Sequence, residues 1–446
     1  MRRRDLLLLM VLSACARPAT QHASAPAPPP QPPPIPTSGN AAFDAWRQGF
    51  LSRALARGVP APVLVREFTG LTPDPTVVTN DSGQAEFTRS PGAYMASAVT
   101  DTRIATGREK RASLTVWPQI EAAHGVPRDI LIGVWAMESA FGQMQGDKDV
   151  IRSLATLAFD GRRREWAEGE LIAALQMLAS GAVTRAHLTG SWAGAMGQTQ
   201  FEPSTYLATA VDGDGDGVRD IWTSPADALA SAANLLQHSG WVAGGGWARE
   251  VTLPDGFEYR LTDAGREPFA AWAARGVRLA SGDPLSAADQ AAAASILVPA
   301  GFRGPAFLAL PNHYVIRRYN NSVLYALAVG LLADRVAGGG PTVTPWPSEP
   351  PMSLADRLAA QSALTALGFD AGAADGRIGA RTRQALRAWQ QARHLPADAY
   401  LSADMVARLK AERPPAPAAP SPAAIPPATT PPVAAPATPP PASATP

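Results

Sequence analysis

The chain has 446 residues, 46% of them hydrophobic and 17% charged, with a formal net charge of +1. That apolar share is enough for a sizeable core, and the near-neutral balance excludes nucleic acid as an expected partner. The 44 prolines crowd toward the two ends, which marks spacers there and a folded body between them.

In chain order, Arg2, Arg3 and Arg4 precede an apolar run at residues 6–12 that is too short to span a bilayer. The run ends in "LSAC" at Cys15, the only cysteine of the sequence. This resembles the lipobox of bacterial lipoproteins. It implies a signal peptide over residues 1–15, with Cys15 carrying lipid on the mature chain. "RRRDLL" also resembles a twin-arginine signal. More than one acyl chain gives durable anchoring, so the membrane is an expected partner. Ala16 is not the aspartate that retains such proteins at the inner membrane. The expected location is therefore the periplasmic side of the cell envelope, at the outer membrane. Residues 16–40 read as a Pro-rich linker.

Residues 41–337 read as a mainly helical (α+β) body. "FDAWRQGFLSRALARG", "RIATGREKRASLTVWPQIEAAHG", "RDILIGVWAMESAFG", "EWAEGELIAALQMLASG" and "SPADALASAANLLQHSG" each read as a helix that stops at glycine. Between residues 249 and 315, "EVTLP", "EYRLT", "GVRLA", "SILVPA" and "HYVIRRY" predict a small sheet. "NSVLYALAVGLLADRVAG" closes the body as a helix. Residues 338–351 read as a linker and 352–411 as a compact unit. Its Leu364, Leu367, Leu386, Trp389 and Leu409 can build a small core, and Asp375, Arg377 and Arg381 gather near one loop. Residues 412–446 have the composition of a disordered tail.

One acid stands out. Glu138 lies in "LIGVWAMESAFG", with Val134, Trp135, Phe141 and Gly142 as its neighbours three and four residues away on a helix. Burial disfavours a charged carboxylate. Such an acid is expected to hold its proton nearer neutral pH, as protonation of a glycosidic oxygen requires. The plain alternative is a helix-end glutamate turned to solvent. Residues 190–206, "GSWAGAMGQTQFEPSTY", set Ser191, Gln198 and Gln200 among small residues. Small residues let a ligand approach the backbone, and hydroxyls and amides suit sugars.

"GVWAMESAFG", "FDGRRREWAEGEL", "GSWAGAMGQTQFEPSTY", "DGDGDGVRDIWTSPADALASAANLL" and "RRYNNSVLYALAVG" together, in this order, resemble the lytic murein transglycosylase B family. The resemblance implies a lysozyme-like helical catalytic domain with a small β subdomain. It implies a lyase that cuts peptidoglycan between N-acetylmuramic acid and N-acetylglucosamine, leaves a 1,6-anhydro end and needs no cofactor. It makes Glu138 the single acid and then base. It places Ser191, Gln200, Tyr319, Asn320, Tyr325, Tyr94 and Arg163 against the substrate. Two positions depart from the pattern. Leu235 stands where some members have a cleft tyrosine, and Gln198–Thr199 replaces an aromatic–glycine pair. Residues 352–411 resemble the three-helix peptidoglycan-binding domain through "LGF", "DGRIG" and "ALRAWQ". Glycan strands are thus the expected partner, and a monomer is the expected state.

"DGDGDGVRDIWT" reads as a calcium loop, with Asp212, Asp214, Asp216, the Val218 carbonyl and Asp220 in ligand positions. Thr223 replaces the usual final glutamate, so a weak site is expected, for calcium before sodium. An Asp/Gly turn held by its own hydrogen bonds is the alternative. Two other functions stay open on the sequence: a hydrolytic muramidase using Asp147 or Asp149 as second carboxylate, and a wall-binding scaffold without catalysis.

Overall fold

The computed structural model describes residues 31–82, 89–263, 265–282 and 284–412. Cys15 and the tail lie outside them. The chain parts into two compact units between Ser348 and Glu349.

Side-chain caps start the helices. Asn40 accepts a hydrogen bond from the Phe43 N–H at 3.0 Å and opens the helix Ala41–Ala56. Thr100, Asp149, Ser224 and Ser322 do the same for Asp101–Ser113, Val150–Asp160, Pro225–His238 and Val323–Val336. Left-handed glycines stop three helices, at Gly125, Gly161 and Gly181. The stretch expected as one helix from Arg103 to His124 is two, Asp101–Ser113 and Trp117–His124. Leu114 is extended, and Pro118 can enter a helix only in its first turn.

The helix Arg128–Ser139 runs through the largest core, buried from Ile130 to Ala136. It crosses Val323–Val336 at Gly133, where a Cβ would stand 2.5 Å from the Val329 carbonyl oxygen. Only glycine permits that approach, and it lets Leu131, Val134, Leu327 and Val329 all reach 0% exposure. Each such side chain contributes about 1.5–3 kcal/mol by leaving water. A second core joins Phe43, Phe50, Leu64 and Phe68 to Ile151, Leu154, Leu171 and Leu175.

Two sheets interrupt the helices. β1 (Lys148–Asp149) pairs antiparallel with β2 (Thr189–Gly190), Lys148 opposite Gly190. Further on, β3 (Ala248–Thr252), β4 (Arg278–Leu279), β5 (Ser295–Leu297) and β6 (Ala306–Ala309) form an antiparallel sheet in the order β4-β3-β6-β5. Two expected strands are absent from it. "EYRLT" is a 3-10 turn, Tyr259–Thr262, and "HYVIRRY" belongs to the helix Pro311–Tyr319. In the latter, Pro311 pre-sets the first turn, and Asn312, His313, Val315 and Ile316 fall on one buried side. The strand "AFLA" went unpredicted. All four of its residues are buried, so it shows no alternation.

Residues 338–348, expected as linker, are bound to the first unit. Glu250 accepts from the Val343 and Thr344 N–H groups at 2.6 and 2.7 Å, and Trp346 stacks on Phe307. In the second unit the helices Leu354–Ala366, Ala380–Ala392 and Ala403–Glu412 pack around Leu364, Leu386, Trp389 and Leu409. Asp375 there accepts from Gln361 and from the Arg377 N–H, and Arg381 pairs with Asp370. Two of the three charges singled out in that loop therefore have structural partners.

Candidate active site

Glu138 sits one residue before the end of its helix, half-buried. The chain then turns through three left-handed residues, Ala140, Phe141 and Gly142, with φ of 49°, 62° and 84°. Two of these carry a Cβ, at a cost of about 1–2 kcal/mol each. Packing offsets it: Phe141 meets Trp135 edge-on, ring centroids 5.6 Å apart. Trp135 and Phe141 are 2% and 9% exposed, so the apolar setting expected around Glu138 is present.

Tyr325 comes to Glu138 from the first turn of Val323–Val336, and its hydroxyl donates to Oε1 in a short hydrogen bond. Burial, and then the charge of Glu138, push this phenol well above its ordinary pKa. Tyr319 is raised in the same way, burial first and Glu138 second, while its hydroxyl donates to the Thr199 carbonyl at 2.6 Å. Tyr94 lies near enough to raise the Tyr325 phenol a little further. Both raised phenols therefore stay neutral and act as donors. The structure thus brings Glu138, Tyr94, Tyr319 and Tyr325 together. Asn320 caps the helix Pro311–Tyr319 beside them, exposed.

The glycine-rich motif forms a tight double turn. Gly190 bridges to Met196, and Met196 to Phe201. Ser191 Oγ accepts from the Ala193 and Ala195 N–H groups at 3.3 and 3.1 Å. Gln200, at φ 50°, donates through Nε2 to the Gln145 and Gly197 carbonyls, both at 2.9 Å. Arg163 is engaged elsewhere. It lies 3.9 Å from Asp81 and stacks 3.7 Å above Trp166, which packs in one cluster with Trp192, next to Ser191. Leu235 packs against the second core. Asp149 caps its helix and is paired with Arg185 at 2.5 Å. Asp147 is exposed.

In the acidic loop, Asp212, Asp214, Asp216 and Asp227 bring carboxylate oxygens within 4.8 Å of one another. Asp220 is not in this group. Its carboxylate accepts from the Trp222 and Thr223 N–H groups and from the Thr223 hydroxyl. Val218, half exposed, donates its N–H to Asp216. Asp227 was not anticipated. It lies in the helix Pro225–His238 at 0% exposure, and burial raises its pKa, with Asp214 adding to the effect. The signal was present in "PADALASAANLL": an acid inside an apolar helix, like Glu138. Four acids so close fit a hard cation that prefers oxygen ligands.

Comparison with known proteins bears on this arrangement. The profile of the family described as transglycosylase SLT domain matches residues 42–334, and that of a peptidoglycan-binding domain matches residues 353–409. Membrane-bound lytic murein transglycosylase B of Escherichia coli (strain K12) is 37% identical over 234 residues, covering 50% of this chain; the chain spans 62% of that relative's length. The structure of SltB3 from Pseudomonas aeruginosa in complex with NAG-anhNAM-pentapeptide is 48% identical, with a TM-score of 0.78, covering 83% of this chain and 100% of that one. Slt35 of Escherichia coli in complex with calcium is 29% identical, with a TM-score of 0.55, covering 67% of this chain and 93% of that one. With the family profile extending over nearly the whole first unit, and the SltB3 chain matched along its full length, this chain belongs to the transglycosylase SLT domain family.

Proposed function

We propose that the chain is a lytic murein transglycosylase that cleaves the β-1,4 bond between N-acetylmuramic acid and N-acetylglucosamine. Glu138 protonates the glycosidic oxygen as the bond to C1 breaks. It then takes the proton of the muramic 6-hydroxyl as that oxygen attacks C1, so one carboxyl serves as acid and then base. No water is consumed, and the product carries a 1,6-anhydro ring. The observation that carries this reading is the short Tyr325–Glu138 hydrogen bond, made beside two further tyrosines on a half-buried helix end. The hydrolytic alternative loses support at Asp149, whose carboxylate is spent on a helix cap and on Arg185. Ser191, Gln200 and Asn320 would contact the sugar, and Arg163 the strand further along. Mass spectrometry of muropeptides released from sacculi tests the reading. Ends one water lighter than hydrolytic products support it, and free reducing ends oppose it.

The second unit would tether the enzyme to the wall. Cys15 would anchor it by lipid to the outer membrane, on the periplasmic side. Cys15→Ala is then expected to move the protein from the membrane fraction to the soluble fraction, and an unchanged membrane fraction would remove the anchor.

The acidic loop would hold a structural calcium ion on Asp212, Asp214, Asp216 and Asp227, with no part in the chemistry. The ion binds the folded loop, so it stabilises by mass action: at a concentration of 100 Kd the gain is about 2.7 kcal/mol. Calcium is expected to raise the Tm of the parent protein, and Asp212→Ala with Asp227→Asn to abolish that rise. A parent protein indifferent to calcium would leave the loop as a turn.

A further inference from the structure

We propose that Gln198 is a positioning residue for Glu138. This rests on the reading of Glu138 as the acid, and it concerns a position where the chain departs from the aromatic–glycine pair of its family's pattern.

Gln198 is 4% exposed, and its two acceptors face the helix end that carries Glu138. Its side-chain oxygen accepts from Trp135 Nε1 at 3.1 Å, three residues before Glu138. Its carbonyl accepts from Ser139 Oγ at 2.5 Å, one residue after it. Ser139 Oγ in turn accepts from the Gly142 N–H at 2.9 Å. A Cβ on Gly142 would stand 2.7 Å from Gln198 Oε1, so the turn lies directly against this amide. On its other side Gln198 is fixed to the end of the acidic loop. Its N–H donates to the Ile221 carbonyl at 2.9 Å, and Nε2 donates to the Trp222 carbonyl at 3.2 Å. Gln145 Nε2 donates to the same Trp222 carbonyl at 3.0 Å and to the Gly142 carbonyl at 2.9 Å.

The buried side-chain amide therefore holds Trp135 in the helix before Glu138 and lies against the left-handed turn at Gly142, while the main-chain carbonyl of the same residue holds Ser139. Ala140 and Phe141 occupy backbone conformations that side chains disfavour, so this turn relaxes unless something outside it holds it. A phenylalanine or tryptophan ring at position 198 could not both accept from Trp135 and donate to Trp222. The amide acts on Glu138 through Trp135 and the turn at Gly142.

The test uses the whole chain, acting on soluble glycan strands. Displacing a catalytic group by about 1 Å costs on the order of 10²-fold. Gln198→Leu is therefore expected to lower kcat about 10- to 100-fold per folded molecule, to leave KM within about threefold and to displace the pH profile of kcat. Trp135→Phe removes one arm of the same bracket. Residues in one network do not add, so the double variant is expected to fall no lower than the worse single one. Gln198→Glu keeps the acceptor for Trp135 and loses the donor to Trp222, so its kcat lies between the parent and Gln198→Leu; it also carries the test if Gln198→Leu fails to fold. A purely structural role would lower Tm and leave kcat per folded molecule and its pH profile unchanged. That result, or additive losses in the double variant, overturns the proposal. Product chemistry separates it from the reading beneath it: hydrolytic ends from the parent protein would remove the transglycosylase mechanism, while the Gln198 variants would still report on turnover.

Discussion

Glu138→Gln is expected to lower turnover on glycan strands by about 10⁴-fold or more while KM changes by no more than about threefold. General acid–base help is typically worth about 10²–10⁴-fold, and here one carboxyl supplies both proton transfers. The amide matches the carboxyl in size and can still accept from the Tyr325 hydroxyl, so the pocket keeps its shape. It can neither give nor take the proton. Tyr94, Tyr319 and the glycine-rich turn remain, so binding survives. Initial rates on soluble strands across substrate concentrations check this. Parent-like turnover by Glu138→Gln would show that the acid had been misassigned.

Tyr325→Phe is expected to cost about 10- to 100-fold in kcat, equivalent to about 1.4–2.7 kcal/mol at 1.36 kcal/mol per tenfold. The Tyr325 ring is 4% exposed and packed in the main core, and phenylalanine preserves that packing. The hydroxyl is the group lost. Burial and the charge of Glu138 keep this phenol protonated, so it reaches Oε1 as a donor. Removing a donor from a hydrogen bond to a charged group costs about 1.5–3 kcal/mol, and the carboxyl is then held less firmly for either step. Tm is expected to change little. Unaltered kcat in Tyr325→Phe would make the contact a feature of packing alone.

Much of this site is legible in the sequence. An acid among Val134, Trp135 and Phe141 breaks the apolar period of its helix, and periodicity is what a sequence shows best. The glycine-rich turn announced itself by composition. What stayed hidden depends on residues far apart in the chain. Tyr325 meets Glu138 across 187 positions, and no local pattern encodes that encounter. Gln198 read as a mere departure, because its role exists only once Trp135 and Trp222 lie on either side of it. Asp220 was assigned to the acidic cluster by its spacing, but the nearer Thr223 hydroxyl and backbone claim its carboxylate, and Asp227 takes its place from the next helix. The fold shows the same division. "HYVIRRY" carries β-branched residues yet folds as a helix, because Pro311 and the buried side of Pro311–Tyr319 decide it. "AFLA" lacked the alternation of a half-buried strand because β3 and β5 flank it and both of its faces are covered.

The origin of the oxygen on C1 of the product separates a transglycosylase from a hydrolase. Digestion of purified glycan strands in water enriched in oxygen-18, followed by mass spectrometry of the new muramic ends, measures it. 1,6-Anhydro ends free of the label are expected, because the muramic 6-hydroxyl is the nucleophile and Glu138 handles both protons. Labelled oxygen at the muramic C1 would contradict this, and would make the protein a hydrolase.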